Sequence, residues 1–175
     1  MVKDQFECKR AGARSNFAVL RGDVQRSQVL GAGWDLTVRL DFQAASQPLV
    51  PSEQFSAGGV DSVRGYLDAE QSGDDAWRTR LEVRTPALWP QAGIDARAIG
   101  FLDWASLVRK EPLPGEEGSY SIGSLGLGMR LRDDSGLRLA LDWGRALRDG
   151  ADDTGGQPRT QKGHSRLHVR LGYDF

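Results

Sequence analysis

One arginine, Arg64, lies within a long stretch of glycine and apolar residues, and its guanidinium is well suited to bind a specific partner. The stretch runs from Leu49 to Tyr66, whereas hairpin loops usually have about 2–5 residues. Its apolar content argues against disorder, and glycine allows backbone turns that other residues resist. We therefore predict that this stretch folds back and docks. The whole connection that contains it, residues 45–75, is here called the docking loop. The residues that support the prediction are Phe55, Gly58, Gly59, Val60, Val63, Gly65 and Tyr66.

The sequence contains no arrangement that indicates enzyme, cofactor or metal chemistry. One cysteine and two histidines give no metal-ligand spacing. Neither a phosphate-binding glycine loop followed by lysine, nor a Gly-x-Ser-x-Gly elbow, nor a His-Glu-x-x-His motif is present. His168 stands between Arg166 and Arg170 without a nucleophile. We therefore expect a protein that is not an enzyme and needs no cofactor.

Composition limits the partners and the kind of membrane segment. The net charge of −1 over 175 residues offers no basic surface for nucleic acid. A transmembrane helix needs an apolar run of roughly 20 residues, and the sequence has none. A transmembrane β-barrel needs no such run because its strands alternate between lipid and lumen. The first 15 residues show no pattern and no signal-peptide core, so we expect a C-terminal part of a longer protein.

Alternation of apolar and polar residues predicts seven antiparallel strands. They are expected at residues 16–28, 34–43, 77–84, 94–104, 125–132, 137–144 and 167–175. Short turns at 86–93 and 133–136 alternate with long connections at 45–75 (the docking loop), 109–119 and 149–163, the asymmetry of an outer-membrane barrel. Aromatic residues near strand ends on the apolar face suit an interfacial girdle. These are Trp34, Trp77, Trp104, Trp143 and Tyr173.

A soluble antiparallel sandwich would show the same alternation. The many arginines on the polar faces favour a water-filled lumen instead, because a soluble sheet has no evident need for them. The expected fold class is therefore all-β, an antiparallel part of a transmembrane barrel.

The docking loop carries a family motif. Gly58-Gly-Val-Asp-Ser-Val-Arg-Gly-Tyr66, preceded by Pro51-Ser-Glu-Gln-Phe55, resembles the signature loop of the two-partner secretion transporters, the haemolysin secretion/activation ShlB/FhaC/HecB family. These are outer-membrane barrels related to the assembly factor BamA. The resemblance implies that residues 16–175 form about the last seven strands of a sixteen-stranded barrel, a curved open sheet if isolated. It also implies a bacterial outer-membrane location and export of an unfolded haemolysin-type or adhesin-type exoprotein through a pore that contains the loop.

A second motif, Gly100-Phe-Leu-Asp103, resembles the Phe-x-Asp of the same family, whose acid is the partner of the loop arginine. The resemblance implies that Asp103, beside Phe101 on the lumen face, pairs with Arg64. Ala105 stands where the family has glycine. The hypothesis is a latch in which the planar guanidinium binds the carboxylate and holds the loop in the pore. The alternative is an exposed loop arginine and an ordinary lumen acid.

Three further expectations concern the lumen, the C-terminus and the partners. Arg78, Arg80, Glu82 and Arg84 share one strand face and could contact an unfolded substrate in transit or pair with neighbouring strands. Phe175 ends an amphipathic strand and resembles the terminal signal through which barrels engage their assembly machinery. The expected partners are an exoprotein substrate, the lipid bilayer and that machinery. The alternatives are a barrel-assembly insertase of the same superfamily and a soluble β-sheet binding module.

Overall fold

The computed structural model describes residues 10, 12, 16–89, 93–152 and 156–174. Seven strands form one antiparallel sheet. They are β1 (Val19–Gly31), β2 (Trp34–Ala45), β5 (Asp75–Arg84), β6 (Ile94–Val108), β7 (Ser119–Asp133), β8 (Leu137–Ala146) and β9 (Ser165–Tyr173). Each of these strands pairs with the next one in this order, and β1 and β9 each pair on one side only, so the sheet is open. The predicted all-β antiparallel class is confirmed.

The two faces of the sheet differ because successive side chains of a strand point to opposite sides. One face, here called the outer face, carries exposed apolar side chains such as Leu127 at 64% and Leu171 at 71% exposure. The opposite, inner face carries most of the charged residues, among them Asp41, Asp103 and Asp142, which are buried. Among the described residues no second layer of protein covers the outer face, so its apolar side chains are exposed.

The first strand differs from its predicted position. Alternation of Phe17 and Val19 placed it at residues 16–28, but β1 begins at Val19. Val19 lies opposite Ala45 on the inner face, and Leu20 and Val24 project outwards with 64% and 62% exposure. The prediction was wrong here because Arg26 and Gln28 interrupt the apolar side of β1. The register therefore comes from the strongly alternating partner strand β2.

Connection lengths distinguish the two ends of the strands. The links after β1, β5 and β7 (32–33, 85–93 and 134–136) lie at one end, and those after β2, β6 and β8 (46–74, 109–118 and 147–164) lie at the other end, here called the long-loop edge. Within the described part of the chain, no helix is long and apolar enough to cross a membrane.

The docking loop, residues 46–74 in the structure, has secondary structure that the sequence did not indicate. It begins with a 3-10 turn (Pro51–Glu53), and β3 (Phe55–Ala57) pairs with β4 (Gln71–Gly73) as a small antiparallel hairpin. Its apolar residues pack on the inner face near the long-loop edge, and this contact is the core of the chain. The buried members are Ala57, Val63, Tyr66, Ala76, Ala105, Leu107, Ile122 and Ala146, with Phe55 packed against them.

Candidate functional site

Arg64 lies against the inner face and meets the carboxylate of Asp103. Its Nε donates to Oδ2 at 2.7 Å and its Nη2 donates to Oδ1 at 2.9 Å, which is a bidentate pair. The backbone N–H of Arg64 adds a third hydrogen bond to Oδ2 at 3.2 Å. Arg64 is 4% exposed and Asp103 is 0% exposed. A lysine could not reproduce this planar two-point contact.

Two further carboxylates, on other strands, contact the same guanidinium. Nη1 of Arg64 lies 3.1 Å from Glu82 Oε2 on β5 and 3.4 Å from Asp142 Oδ1 on β8. Arg130 Nη2 binds the same Oδ1 of Asp142 at 2.9 Å. In a flat sheet β5 and β8 would be roughly 14 Å apart, so both acids reach one nitrogen because the sheet curves around the loop. Arg64 with Glu82, Asp103 and Asp142 is called the latch below.

The charge state of Arg64 follows from these neighbours. Burial by itself would lower the pKa of Arg64, but the hydrogen bond to Asp103 and the charges of Asp103, Asp142 and Glu82 raise that pKa overall. The guanidinium therefore stays charged, although Oδ2 of Asp142 is buried without a hydrogen-bond partner.

An aromatic ring forms the floor of the latch. The Cζ atom of Arg64 lies 3.4 Å from the ring centroid of Phe101, a cation–π contact. Phe101 pairs with Gly126 on β7, and a Cβ atom at Gly126 would overlap the ring. A glycine on the facing strand therefore makes room for the ring that supports the guanidinium.

The backbone of the loop touches β8 and β9 beside the latch. Gly65 has a φ of +91°, and an added Cβ would lie 3.1 Å from the carbonyl carbon of Gly144. A Cβ at Gly144 would in turn lie 2.9 Å from the Gly65 nitrogen. The Gly65 N–H donates to His168 Nε2 at 3.1 Å. His168 thus lies on the inner face and accepts a hydrogen bond from the loop, and the close backbone approach occurs at Gly144 rather than at position 105.

Tyr66 fixes the loop to the sheet on the long-loop side of Arg64. Its hydroxyl lies 2.8 Å from the carbonyl oxygens of both Gly123 and Arg148, and the two backbone N–H groups of the same residues approach it at 3.3 Å. Burial raises the pKa of Tyr66, which keeps the phenol neutral. The ring is fully buried beside Val63, so this residue combines packing with a satisfied polar end.

The charged residues predicted to share one face of β5 contact the loop as well as the neighbouring strand. Arg78 pairs with Asp41 at 3.0 Å and donates to Ser62 Oγ at 2.8 Å. Arg80 donates to the backbone carbonyl of Asp61 at 3.0 Å. The remaining two members pair with each other, since Arg84 Nη2 lies 3.4 Å from Glu82 Oε1.

The part of the docking loop that carries Arg64, residues 58–66, is here called the apex. The other predicted loop residues lie in the apex or beside it. Gly58 and Gly59 begin a turn in which the Gly59 N–H donates to the Val63 carbonyl at 3.1 Å. Phe55 lies in β3 and its ring faces Arg78 at 5.3 Å. Phe175 lies outside the described residues. Among the residues described, no group of histidine, cysteine, aspartate and glutamate could hold a metal ion.

Sequence reasoning missed several partners of the loop, among them Asp142, Gly144 and His168. Each lies on the inner face of β8 or β9. Asp142 is 78 residues from Arg64 in sequence, and His168 is 103 residues from Gly65. Their strands were predicted, and the alternation placed all three on the lumen face. Nothing in the spacing shows at which height along a strand the loop apex will lie, so they could not be distinguished from other lumen residues.

Comparison with known proteins identifies the family. The model of the haemolysin secretion/activation protein ShlB/FhaC/HecB family matches residues 3–131. The chain belongs to this family. The solved structure of CdiB from Acinetobacter baumannii is similar with a TM-score of 0.66 and 21% sequence identity, over 91% of this chain and 27% of the CdiB chain. Comparison with curated proteins gives no match. The family prediction is thus confirmed, and the likeness to CdiB shows the barrel-type fold. This chain spans about a quarter of the length of the CdiB chain.

Proposed function

We propose that this chain is the C-terminal part of an outer-membrane pore of a two-partner secretion system, which exports an unfolded haemolysin-type or adhesin-type exoprotein. Residues 16–175 supply about seven strands of a sixteen-stranded barrel, and the docking loop lies in its lumen. The exposed apolar outer face contacts lipid, and the charged inner face lines the pore. The remaining strands complete the hydrogen bonding that β1 and β9 lack at the edges.

The observation that carries the proposal is the position of the docking loop. It lies on the charged face, while apolar side chains from all seven strands project from the other face. A soluble binding module would bury that apolar face under protein and would present its charged face to water. Trp77 on β5 and Trp143 on β8 are exposed, and Trp104 on β6 is partly exposed. Aromatic residues of this kind suit the boundary between hydrocarbon and headgroups.

In this proposal the latch keeps the docking loop in the lumen and the pore organised for its substrate. Asp103 is fully buried, so the Arg64 contact forms in a poorly hydrated place where ion pairs roughly balance their desolvation. Such a pair contributes little to net stability, but it strongly specifies one position of the loop. Arg78, Arg80 and Glu82 support that position and become available to an unfolded substrate only when the loop moves.

Secretion by the full-length protein tests the proposal. The exoprotein released into the medium is measured for the unchanged transporter and for Arg64→Ala, with outer-membrane fractionation of both. We expect both transporters in the outer membrane and a strong loss of secretion for the variant. Arg170→Ala is the matched control, because Arg170 holds Asp61 of the same loop at 2.5 Å through an exposed pair, and such pairs contribute about 0–1 kcal/mol. Unchanged secretion by Arg64→Ala, or a full-length protein absent from the outer membrane, would contradict the proposal.

A further inference from the structure

A second buried carboxylate, Asp74, lies where the docking loop returns to the sheet. Asp74 is fully buried and directly precedes β5. Its Oδ1 accepts hydrogen bonds from the Leu49 N–H at 2.9 Å and from Gln54 Nε2 at 3.1 Å. Its Oδ2 accepts one from the Lys110 N–H at 2.7 Å. One carboxylate therefore joins the start of the loop, the end of the loop and the next long connection.

Arg10 neutralises this carboxylate from a fourth segment of the chain. Its Nη1 and Nη2 donate to the two oxygens of Asp74 at 2.5 Å and 2.9 Å. The same guanidinium donates to the backbone carbonyls of Leu49 and Lys110, both at 2.8 Å. A buried carboxylate with five donors and a bidentate arginine is a strongly specified contact, because loss of either partner leaves an unpaired buried charge.

The contacts of Asp74 share no residue with the latch. Arg64 binds Glu82, Asp103 and Asp142 on the strands, whereas the partners of Asp74 lie in the connections at the long-loop edge. The β3–β4 hairpin stands between the two sites and ends at Gly73, next to Asp74. The loop is thus held at its apex and at its base by separate ion pairs, and separate sites are expected to act additively.

We propose that Asp74 and Arg10 form a base clasp, which holds the docking loop and the 109–118 connection to the rim of the sheet independently of Arg64. When the latch opens, the apex leaves the inner face while the base stays in place, so the loop swings about its base and is not expelled from the lumen. This inference goes beyond the proposed function, because it concerns two local equilibria that are measured without secretion.

Hydrogen exchange of backbone amides in the full-length protein, in detergent micelles, tests the base clasp. Asp74→Asn keeps the shape of the side chain and removes the charge that Arg10 and the two backbone N–H groups bind. We expect exchange at the Leu49 and Lys110 amides to accelerate roughly tenfold to a hundredfold. The Arg64 and Gly65 amides at the apex should keep their rates. Arg64→Ala should give the reverse pattern, with fast exchange at residues 64 and 65 and an unchanged base.

Two other variants make the result decisive. Asp68→Asn removes an exposed carboxylate of the same loop and should leave exchange at the base unchanged. Arg10→Gln removes the cation but leaves the Asp74 carboxylate and its backbone donors, so it should accelerate the same base amides and no others. If Asp74→Asn folds poorly, Arg10→Gln supplies the measurement. Equal acceleration at base and apex in either variant would show one cooperative loop and overturn the proposal, as would unchanged exchange at the base. Unchanged secretion by Arg64→Ala together with the predicted exchange pattern would refute the proposed function alone.

Discussion

Removing Arg64 should open the apex of the docking loop far more than removing the charge of its main partner. Arg64→Ala leaves Asp103 buried at 0% exposure without its cation, and breaking a buried pair in this way costs about 3–5 kcal/mol. Asp103→Asn removes charge-assisted hydrogen bonds, at a cost of about 1.5–3 kcal/mol. That cost is smaller because the arginine keeps Glu82 at 3.1 Å and Asp142 at 3.4 Å.

These energies convert to exchange rates at a tenfold change per 1.4 kcal/mol. The amides of residues 64 and 65 should exchange roughly a hundredfold to several thousandfold faster in Arg64→Ala, and roughly tenfold to a hundredfold faster in Asp103→Asn. The double variant should cost less than the sum of the two, because the neutral asparagine no longer needs the missing cation. The assay is hydrogen exchange of the full-length protein in micelles, with Arg170→Ala as a control that shifts these amides by at most about 1 kcal/mol.

Two outcomes would refute this reasoning. Asp103→Asn opening the apex as much as Arg64→Ala would mean that Glu82 and Asp142 do not hold the arginine. Additive effects in the double variant would mean that Arg64 and Asp103 are not coupled. A charge exchange, Arg64→Asp with Asp103→Arg, is a poorer test, because a carboxylate at position 64 would face Glu82 and Asp142.

Three further predictions follow from the loop contacts. Gly144→Ala should displace the loop and destabilise the latch by about 1–3 kcal/mol, because the added Cβ lies 2.9 Å from the Gly65 nitrogen; the control Gly172→Ala meets no atom within 4 Å and should leave exchange at Gly65 unchanged. Tyr66→Phe should lower the free energy of unfolding by about 1–3 kcal/mol, measured by denaturant in micelles, because the Gly123 and Arg148 carbonyls lose the hydroxyl, while the Gly123 carbonyl keeps the Leu147 N–H; an unchanged midpoint would contradict it. Burial would raise the pKa of Asp74, but hydrogen bonds from Arg10, Leu49, Gln54 and Lys110 hold that pKa below the ordinary value of 3.8, so the base contact should be fully present above pH about 4 and lost as the pH falls further. Exchange at Leu49, corrected for its intrinsic pH dependence, should show this loss, and Asp74→Asn should abolish it.

The distribution of glycine on the inner face explains part of what a sequence reader cannot see. Gly126 and Gly144 look like weak positions in strands, since glycine has no side chain to pack. In the structure each marks a close approach, Gly126 to the Phe101 ring and Gly144 to the backbone of Gly65. Their meaning depends on where the loop lies, which is a property of the folded chain.

The amino-acid sequence was sufficient to predict the all-β class, most of the strand positions and the face on which the side chains of those strands lie. A period of two is a local property of a strand, so it can be read without knowing the partners. The loop and its motif were also recognisable, because glycine and apolar residues around one arginine are local features. One exception was β1, where polar residues on the apolar side obscured the period and the neighbouring strand set the register. The other was β7, which begins at Ser119 and not at residue 125, because its apolar Ile122 faces inwards under the docking loop.

The residues that surround Arg64 and the contacts that hold the base of the loop became visible in the folded chain alone. Asp142 and His168 come from strands far along the chain, and Asp74 gathers partners from three other segments. The physical reason is the curvature of the sheet, which brings strands β5 to β9 around one loop. Alternation states which side a residue faces, but it carries no information about height along the strand or distance across the lumen.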